Sequence, residues 1–367
     1  MVERISPQSR QQIEEKLGEF RGGQIGEAVA QILEFDKTPT DLKAFMDRFV
    51  IGQEKGKKII SVAITYHYRR LANALKHAMV EDGDDLDAAL RKATTPKANV
   101  LIVGPSGCGK TYTGEIASRL VGVPFAVEDM TKFSEVGYVG QNVSDILLDL
   151  LIAAGGNPHV AQMGIVYLDE IDKIAAEAVL CKDVSGRGVQ KGLLKLVEGA
   201  ENTVDLGKRR ISLSTRHVLF IAGGVYENLE AIVRERMAGD GLQGDWRTHM
   251  LTDDFVSYGM ERQLMGRFPI RAAYHALTVE DLRSIMLQSE ESPSRAYVND
   301  FQAWGIDLTF TDEALTEVAR RAQREGTGAR GLISILHQVL LEDMYRLPGT
   351  HTGELVVDGR YVRERIR

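Results

Sequence analysis

The chain has 367 residues, 44% of them hydrophobic and 26% charged, which suits a globular protein of about two domains with enough apolar mass for a sizeable core. A formal charge of -7 argues against broad affinity for nucleic acid, no stretch approaches ~18 uninterrupted apolar residues, and no basic start with an apolar run suggests export, so the expected compartment is the cytoplasm and no membrane partner is expected. The two cysteines, Cys108 and Cys181, form neither a CxxC pair nor a metal-ligand spacing, which predicts no structural disulfide and no zinc module.

Residues 1 to 37 read as a polar prelude with two short helices around Gly22-Gly23, one carried by Ile13, Leu17 and Phe20, the other by Ile25, Val29, Ile32 and Leu33. Leu42, Phe45, Met46 and Phe49 predict an amphipathic helix from Thr40. After Ile51-Gly52-Gln53 a second helix is expected from about Glu54 through Leu71, and the acidic run from Glu81 to Asp87 reads as a solvated connection.

Asn99-Val100-Leu101-Ile102-Val103 is a short β-rich run, followed at once by GPSGCGKT (104 to 111) and a helical stretch beginning near Tyr112. Strand, glycine-rich loop and helix in this order, with Gly104, Gly109, Lys110 and Thr111 at the fixed positions of GxxxxGK[ST], make a phosphate loop of the Walker A type. Its glycines let backbone N–H groups turn toward the α- and β-phosphates at a helix N-terminus. Lys110 reaches the β/γ oxygens, and the Thr111 hydroxyl is a magnesium ligand. The expected ligands are therefore a nucleoside triphosphate and Mg2+.

The ten residues SEVGYVGQNV (134 to 143) place Tyr138 and Val139 between Gly137 and Gly140, which by itself fits a strand corner with a buried tyrosine as well as an exposed functional loop. A short helix follows from Val143 to Ala153. Ile165-Val166-Tyr167-Leu168 reads as a buried parallel strand ending in Asp169-Glu170. Carboxylates at such a strand end suit a magnesium site through Asp169 and a water-polarising base in Glu170, the pairing that hydrolysis requires. The strand His217 to Ala222 ends in Gly223-Gly224. In the C-terminal part, helices are expected over Val279 to Leu287, Thr311 to Gln323 and Ala329 to Tyr345, with short strands near Ile306 to Phe310 and Glu354 to Val357.

Six ordered motifs, GPSGCGKT, SEVGYVGQNV, VYLDEIDKI (166 to 174), KDVSGRGVQKGLLKLVEG (182 to 199), LMGRFP (264 to 269) and TGARGLISIL (327 to 336), resemble those of the AAA+ protein unfoldases of the ClpX and HslU group over about residues 40 to 367. The layout is closer to ClpX, since the long insertion of HslU after its pore loop is missing. The resemblance implies an α/β fold: an N-terminal extension (1–40), a large P-loop ATPase domain with a mainly parallel sheet flanked by helices (41–270), and a small C-terminal α/β lid domain (271–367). It implies an ATPase that threads polypeptide through a homo-oligomeric, hexameric ring.

Position by position, the resemblance makes Gly137, Tyr138, Val139 and Gly140 the pore loop that grips substrate, the aromatic offering contact without a particular hydrogen bond. Val50 and Ile51 match the adenine-contacting segment, beside Gly104, Pro105, Ser106, Gly107, Cys108, Gly109, Lys110, Thr111 and Tyr112 around the phosphates. Arg267 matches the arginine supplied by a neighbouring subunit, for which a surface ion pair is the plain alternative, and Arg330 the sensor arginine of the small domain. Lys182 and Asp183 resemble the second pore loop; Lys208, Arg209 and Arg210 lie near a substrate-entry loop or form a solvated charge cluster. Two departures bear on partners. Residues 1 to 37 contain no cysteine, so the zinc domain of ClpX is not expected here, and the aliphatic-Gly-Phe tripeptide that docks ClpX on the peptidase ClpP is not found between Gly239 and Trp246, which puts that docking in doubt. Trp246 reads as a loop tryptophan packed on its own subunit.

Overall fold

The computed structural model describes residues 24–80, 82–134, 145–175, 184–205 and 210–366. They divide into two compact units, one drawn from 24–42, 55–103 and 114–273, the other from 43–54, 104–113 and 274–366.

Helix α1 (Gln24–Leu33) buries Val29, Ile32 and Leu33. Helix α2 (Pro39–Asp47) begins with a reciprocal cap in which Asp41 N–H donates to the Thr38 hydroxyl and Thr38 N–H to the Asp41 carboxylate (3.2 and 2.8 Å). Helix α3 (Glu54–Val80) continues well past Leu71, because Leu75, Ala78 and Met79 carry its buried face onward. The acidic run is more than a solvated connection: Asp85 caps α4 (Leu86–Lys92) by accepting from Ala88 N–H, and Asp84 pairs with Lys92 at 2.6 Å.

The main sheet holds β1 (Val100–Val103), β2 (Phe125–Asp129), β3 (Ile165–Asp169), β6 (Leu219–Gly224) and β7 (Ile270–Ala273) in the order β2-β3-β6-β1-β7. Every pairing is parallel, as the uninterrupted apolar runs of β1 and β3 require of strands covered on both faces. Between them lie α5 (Lys110–Val121), α6 (Asp145–Ala153), α7 (Val184–Glu198) and a hairpin that periodicity missed, β4 (Glu201–Asp205) with β5 (Arg210–Ser214). Helix α6 turns Ile146, Leu147, Leu150 and Leu151 into the core. After β6 come α8 (Leu229–Gly239), α9 (Thr252–Tyr258) and the single turn α10 (Arg262–Met265). Trp246 is 7% exposed and packs in the core cluster of its own chain, as its sequence reading holds.

The C-terminal part contains α11 (Val279–Gln288), α12 (Pro293–Gln302), β8 (Ile306–Phe310), α13 (Asp312–Arg324), α14 (Ala329–Arg346), β9 (Gly353–Val357) and α15 (Gly359–Arg365). Strands β8 and β9 pair in parallel. Thr278 and Asp281 form a capping box at α11, and Thr311 caps α13 through Ala314 N–H. Helices α12 and α15, absent from the sequence reading, are each started by a capping residue, Ser292 and Asp358. Among the described residues no helix is long and apolar enough to cross a membrane.

Candidate active site

The phosphate loop leaves the carboxyl end of β1, whose four residues are all buried. Gly107 and Gly109 have φ of +70° and +92°, left-handed values that favour glycine. Lys110 is buried, and its Nζ donates to the carbonyls of Gly104 and Pro105 at 2.7 and 2.8 Å, so the ammonium is folded into the arch of its own loop. Thr113 closes the first turn of α5 by donating its hydroxyl to the Gly109 carbonyl, and the buried Tyr274 hydroxyl donates to Thr113.

Within the same unit this loop meets the expected adenine segment and the start of α14. A cavity of about 810 Å3 is lined by Val50, Ile51, Cys108, Gly109, Tyr112 and Ala329, and its volume is in the range of small-ligand sites. The Val50-Ile51 segment is fixed from behind by Gln53, whose backbone is left-handed (φ 60°). The Gln53 side-chain amide donates to the His275 carbonyl and accepts from His275 N–H at 2.8 and 2.9 Å. At the mouth the Tyr112 hydroxyl donates to Glu291 (2.7 Å), and Arg48 forms a two-pronged pair with Glu290 (2.5 and 2.8 Å).

The junction with α14 is made by backbone. Ala329 N–H donates to the Gly107 carbonyl at 3.0 Å, and a Cβ on Gly107 would overlap the Thr327 carbonyl oxygen. Arg330, next in sequence, is exposed and close enough that its charge acts on Cys108. The Cys108 thiol is pushed up by burial, against which Lys110 and Arg330 act, so it stays protonated and unreactive at neutral pH.

Asp169 and Glu170 lie in the other unit, at the carboxyl end of β3, two strands from β1 in the sheet. Glu170 takes a left-handed conformation (φ 55°, ψ 36°) at the start of the 3-10 turn Ile171–Ile174, and its N–H donates to Asp169 Oδ1 at 3.0 Å. Such backbone in a non-glycine residue is strained, and strain of this kind clusters at functional sites. Asp172, in the same VYLDEIDKI motif, is a structural clamp: its buried carboxylate accepts from Val225 and Tyr226 N–H (3.1 and 3.3 Å) beyond β6. Asp129 pairs in register with Asp169, a carboxylate at the neighbouring strand end that no motif flagged. It is held below the usual carboxylate range chiefly by the Thr131 hydroxyl.

Arg267 follows α10 and forms an exposed pair with Glu198 at 2.5 Å. Its carbonyl is held by Asn99 Nδ2 (3.0 Å), while Asn99 Oδ1 accepts from Phe220 N–H. Gly223 and Gly224 are packed against Tyr167, Tyr226 and Asp172. Gly137, Tyr138, Val139 and Gly140, together with Lys182, Asp183, Lys208 and Arg209, lie outside the described residues; Arg210 is an exposed residue of β5. Among the described residues no cluster of three or more His, Cys, Asp or Glu is arranged to hold a metal.

Residues 95–271 match the family described as AAA domain (Cdc48 subfamily), and residues 277–357 match the C-terminal, D2-small domain, of ClpB protein. The ATP-dependent Clp protease ATP-binding subunit ClpX of Borrelia duttonii is 36% identical over 341 residues, covering 87% of this chain and 77% of that protein. The subunit of the same name from Treponema denticola is 35% identical over 350 residues, covering 89% and 81%. That from Azotobacter vinelandii is 37% identical over 335 residues, covering 85% and 74%. With a phosphate loop, an acidic strand end and a small domain behind them, these matches establish that the chain belongs to the ClpX family of AAA+ ATPases.

Proposed function

We propose that this chain is the motor subunit of a cytoplasmic, hexameric ring that hydrolyses ATP to pull polypeptides through its pore and unfold them. The observation that carries the reading is the cavity at which the phosphate loop, Val50-Ile51 and the start of α14 converge. A large ATPase domain over 41–270 after an extension at 1–40, and a small domain over 271–367, is the division that fits a motor whose small domain senses the nucleotide.

Lys110, already desolvated in the loop, turns from the Gly104 and Pro105 carbonyls to the β/γ oxygens of ATP. The Thr111 hydroxyl and the Asp169 carboxylate are the groups that would hold magnesium, which would supply charge neutralisation at the phosphates. Glu170 orients and polarises the attacking water, and Arg330 reports the γ-phosphate to the small domain. Arg267 serves the neighbouring subunit. Its exposed pair with Glu198 is worth only ~0–1 kcal/mol, so it is released at little cost. Tyr138 and Val139 grip the substrate.

Mass photometry with ATP and Mg2+ across a wide range of protein concentration tests the ring; a protein that stays monomeric throughout would end the reading. A second reading, the same motor feeding a peptidase, is favoured by the names of the relatives, which are subunits of a Clp protease. Against it stands the missing aliphatic-Gly-Phe tripeptide. Degradation of a tagged fluorescent protein by this chain mixed with a ClpP-type peptidase, against unfolding alone without it, separates the two.

A further inference from the structure

We propose that Gln190 is a positioning residue that ties the turn behind Glu170 to the segment carrying Arg267; the inference rests on the roles given to those two residues above. Gln190 lies on α7 and is 1% exposed. Its amide makes three hydrogen bonds to the backbone of two other segments. Nε2 donates to the Ile174 carbonyl (2.9 Å) and the Gly259 carbonyl (3.3 Å), and Oε1 accepts from Glu261 N–H (2.7 Å).

Each partner leads directly to a reacting group. Ile174 ends the 3-10 turn that Glu170 begins, and the middle of that turn is pinned to the end of β6 by Asp172. Glu261 is the N-cap of α10, and its backbone N–H is taken up by the Gln190 amide oxygen. From Glu261 the backbone bonds continue through Met265, Gly266 and Arg267 (2.9–3.0 Å), fixing the backbone as far as Arg267. Helix α7 itself follows Lys182-Asp183, the segment resembling a substrate-contacting loop. One buried amide thus joins the end of the turn that Glu170 begins, the segment that leads to Arg267 and α7, and only an amide supplies two donors and an acceptor at this reach. Movement of any one element is transmitted to the other two.

The test uses full-length rings of Gln190→Leu and the near-isosteric Gln190→Glu, with Leu193→Ala, a fully buried residue of the same helix, as the packing control. ATP affinity, kcat, KM, Tm and stimulation of turnover by reduced, carboxymethylated lactalbumin are measured. Both Gln190 variants are expected to bind ATP within about twofold of wild type, lose about tenfold or more in kcat, and lose the stimulation. Leu193→Ala is expected to lower Tm and keep both activities. Wild-type kcat and stimulation in the Gln190 variants, an equal loss in Leu193→Ala, or failure of both Gln190 variants to form rings overturns the inference. Glu170→Gln, run alongside, separates the two levels: if it turns over ATP normally the site reading fails, whereas an inactive Glu170→Gln beside fully active Gln190 variants sinks the Gln190 role alone.

Discussion

Replacing Gly328 by alanine tests the junction between the phosphate loop and α14. Gly328 has φ 60° and ψ -146°, close to a region almost reserved for glycine, and a Cβ there would stand 2.6 Å from the Gly107 carbonyl oxygen and 2.8 Å from its carbon. Both obstacles are backbone, and neither can rotate away. Strain of ~1–3 kcal/mol, with ~1 kcal/mol for the Ala329 N–H bond to Gly107 that must open, gives ~2–4 kcal/mol against the closed junction. If ATP binds the closed junction, its Kd rises about thirtyfold or more. Titration with a fluorescent ATP analogue measures this. The control is Gly326→Ala: Gly326 is also left-handed (φ +66°) but has nothing near its missing Cβ, so it carries the strain of a left-handed alanine without the overlap. Its ATP affinity should be that of wild type while Tm falls slightly. Equal affinities in Gly328→Ala and wild type would refute the idea that this junction shapes the nucleotide site.

Glu170→Gln should retain ATP binding and lose turnover, and Arg267→Ala should lose turnover as well. Mixed rings of the two should regain a fraction of the activity, since a site with its own Glu170 can then face a neighbour's Arg267; no recovery in mixed rings would place Arg267 in its own subunit's site or outside catalysis. Tyr138→Ala should keep ATPase activity and lose unfolding of a tagged fluorescent substrate, and equal unfolding would return Tyr138 to a packing role. Glu128, buried on β2 and pushed up to about 7 by burial and then by Asp149, holds a proton in the fold that the unfolded chain releases near its ordinary value of 4.5. Stability should therefore fall as pH rises from about 4.5 to about 7, by at most ~1.4 kcal/mol per pH unit from this group. Glu128→Gln should flatten that part of the curve in urea melts at a series of pH values.

The nucleotide half of the site was legible because its chemistry is local. A strand, a glycine-rich loop and a helix must be consecutive, so GPSGCGKT and the run before it suffice, and β1 and α5 stand where the motif requires them. The Ile306 to Phe310 strand and the Thr311 cap were likewise readable from neighbours in sequence. The contacts that complete the site join residues far apart in the chain: Gly107 with Gly328, Gln53 with His275, Asn99 with Arg267, Gln190 with Glu261. A glycine in a motif announces freedom of backbone and says nothing about which distant carbonyl will fill the space its side chain leaves. The acidic run misled for a related reason. Charge pattern alone made it solvent-facing, whereas Asp85 accepts a helix N–H and Asp84 has a lysine partner, and both depend on where α4 begins.

The bonds around Arg267 divide by strength in a way that fits the role proposed for it. Arg267 is held from behind by buried amides, through Asn99 at its carbonyl and through Gln190 at the head of its helix, while its guanidinium is held only by an exposed carboxylate. An unsatisfied buried backbone group costs ~1–3 kcal/mol, and an exposed ion pair returns ~0–1 kcal/mol. The scaffold of Arg267 therefore resists displacement several times more strongly than its charge does. The role proposed for Arg267, reaching a neighbour's phosphate, calls for a fixed base and a loose grip at home, and the same sequence segment supplies both.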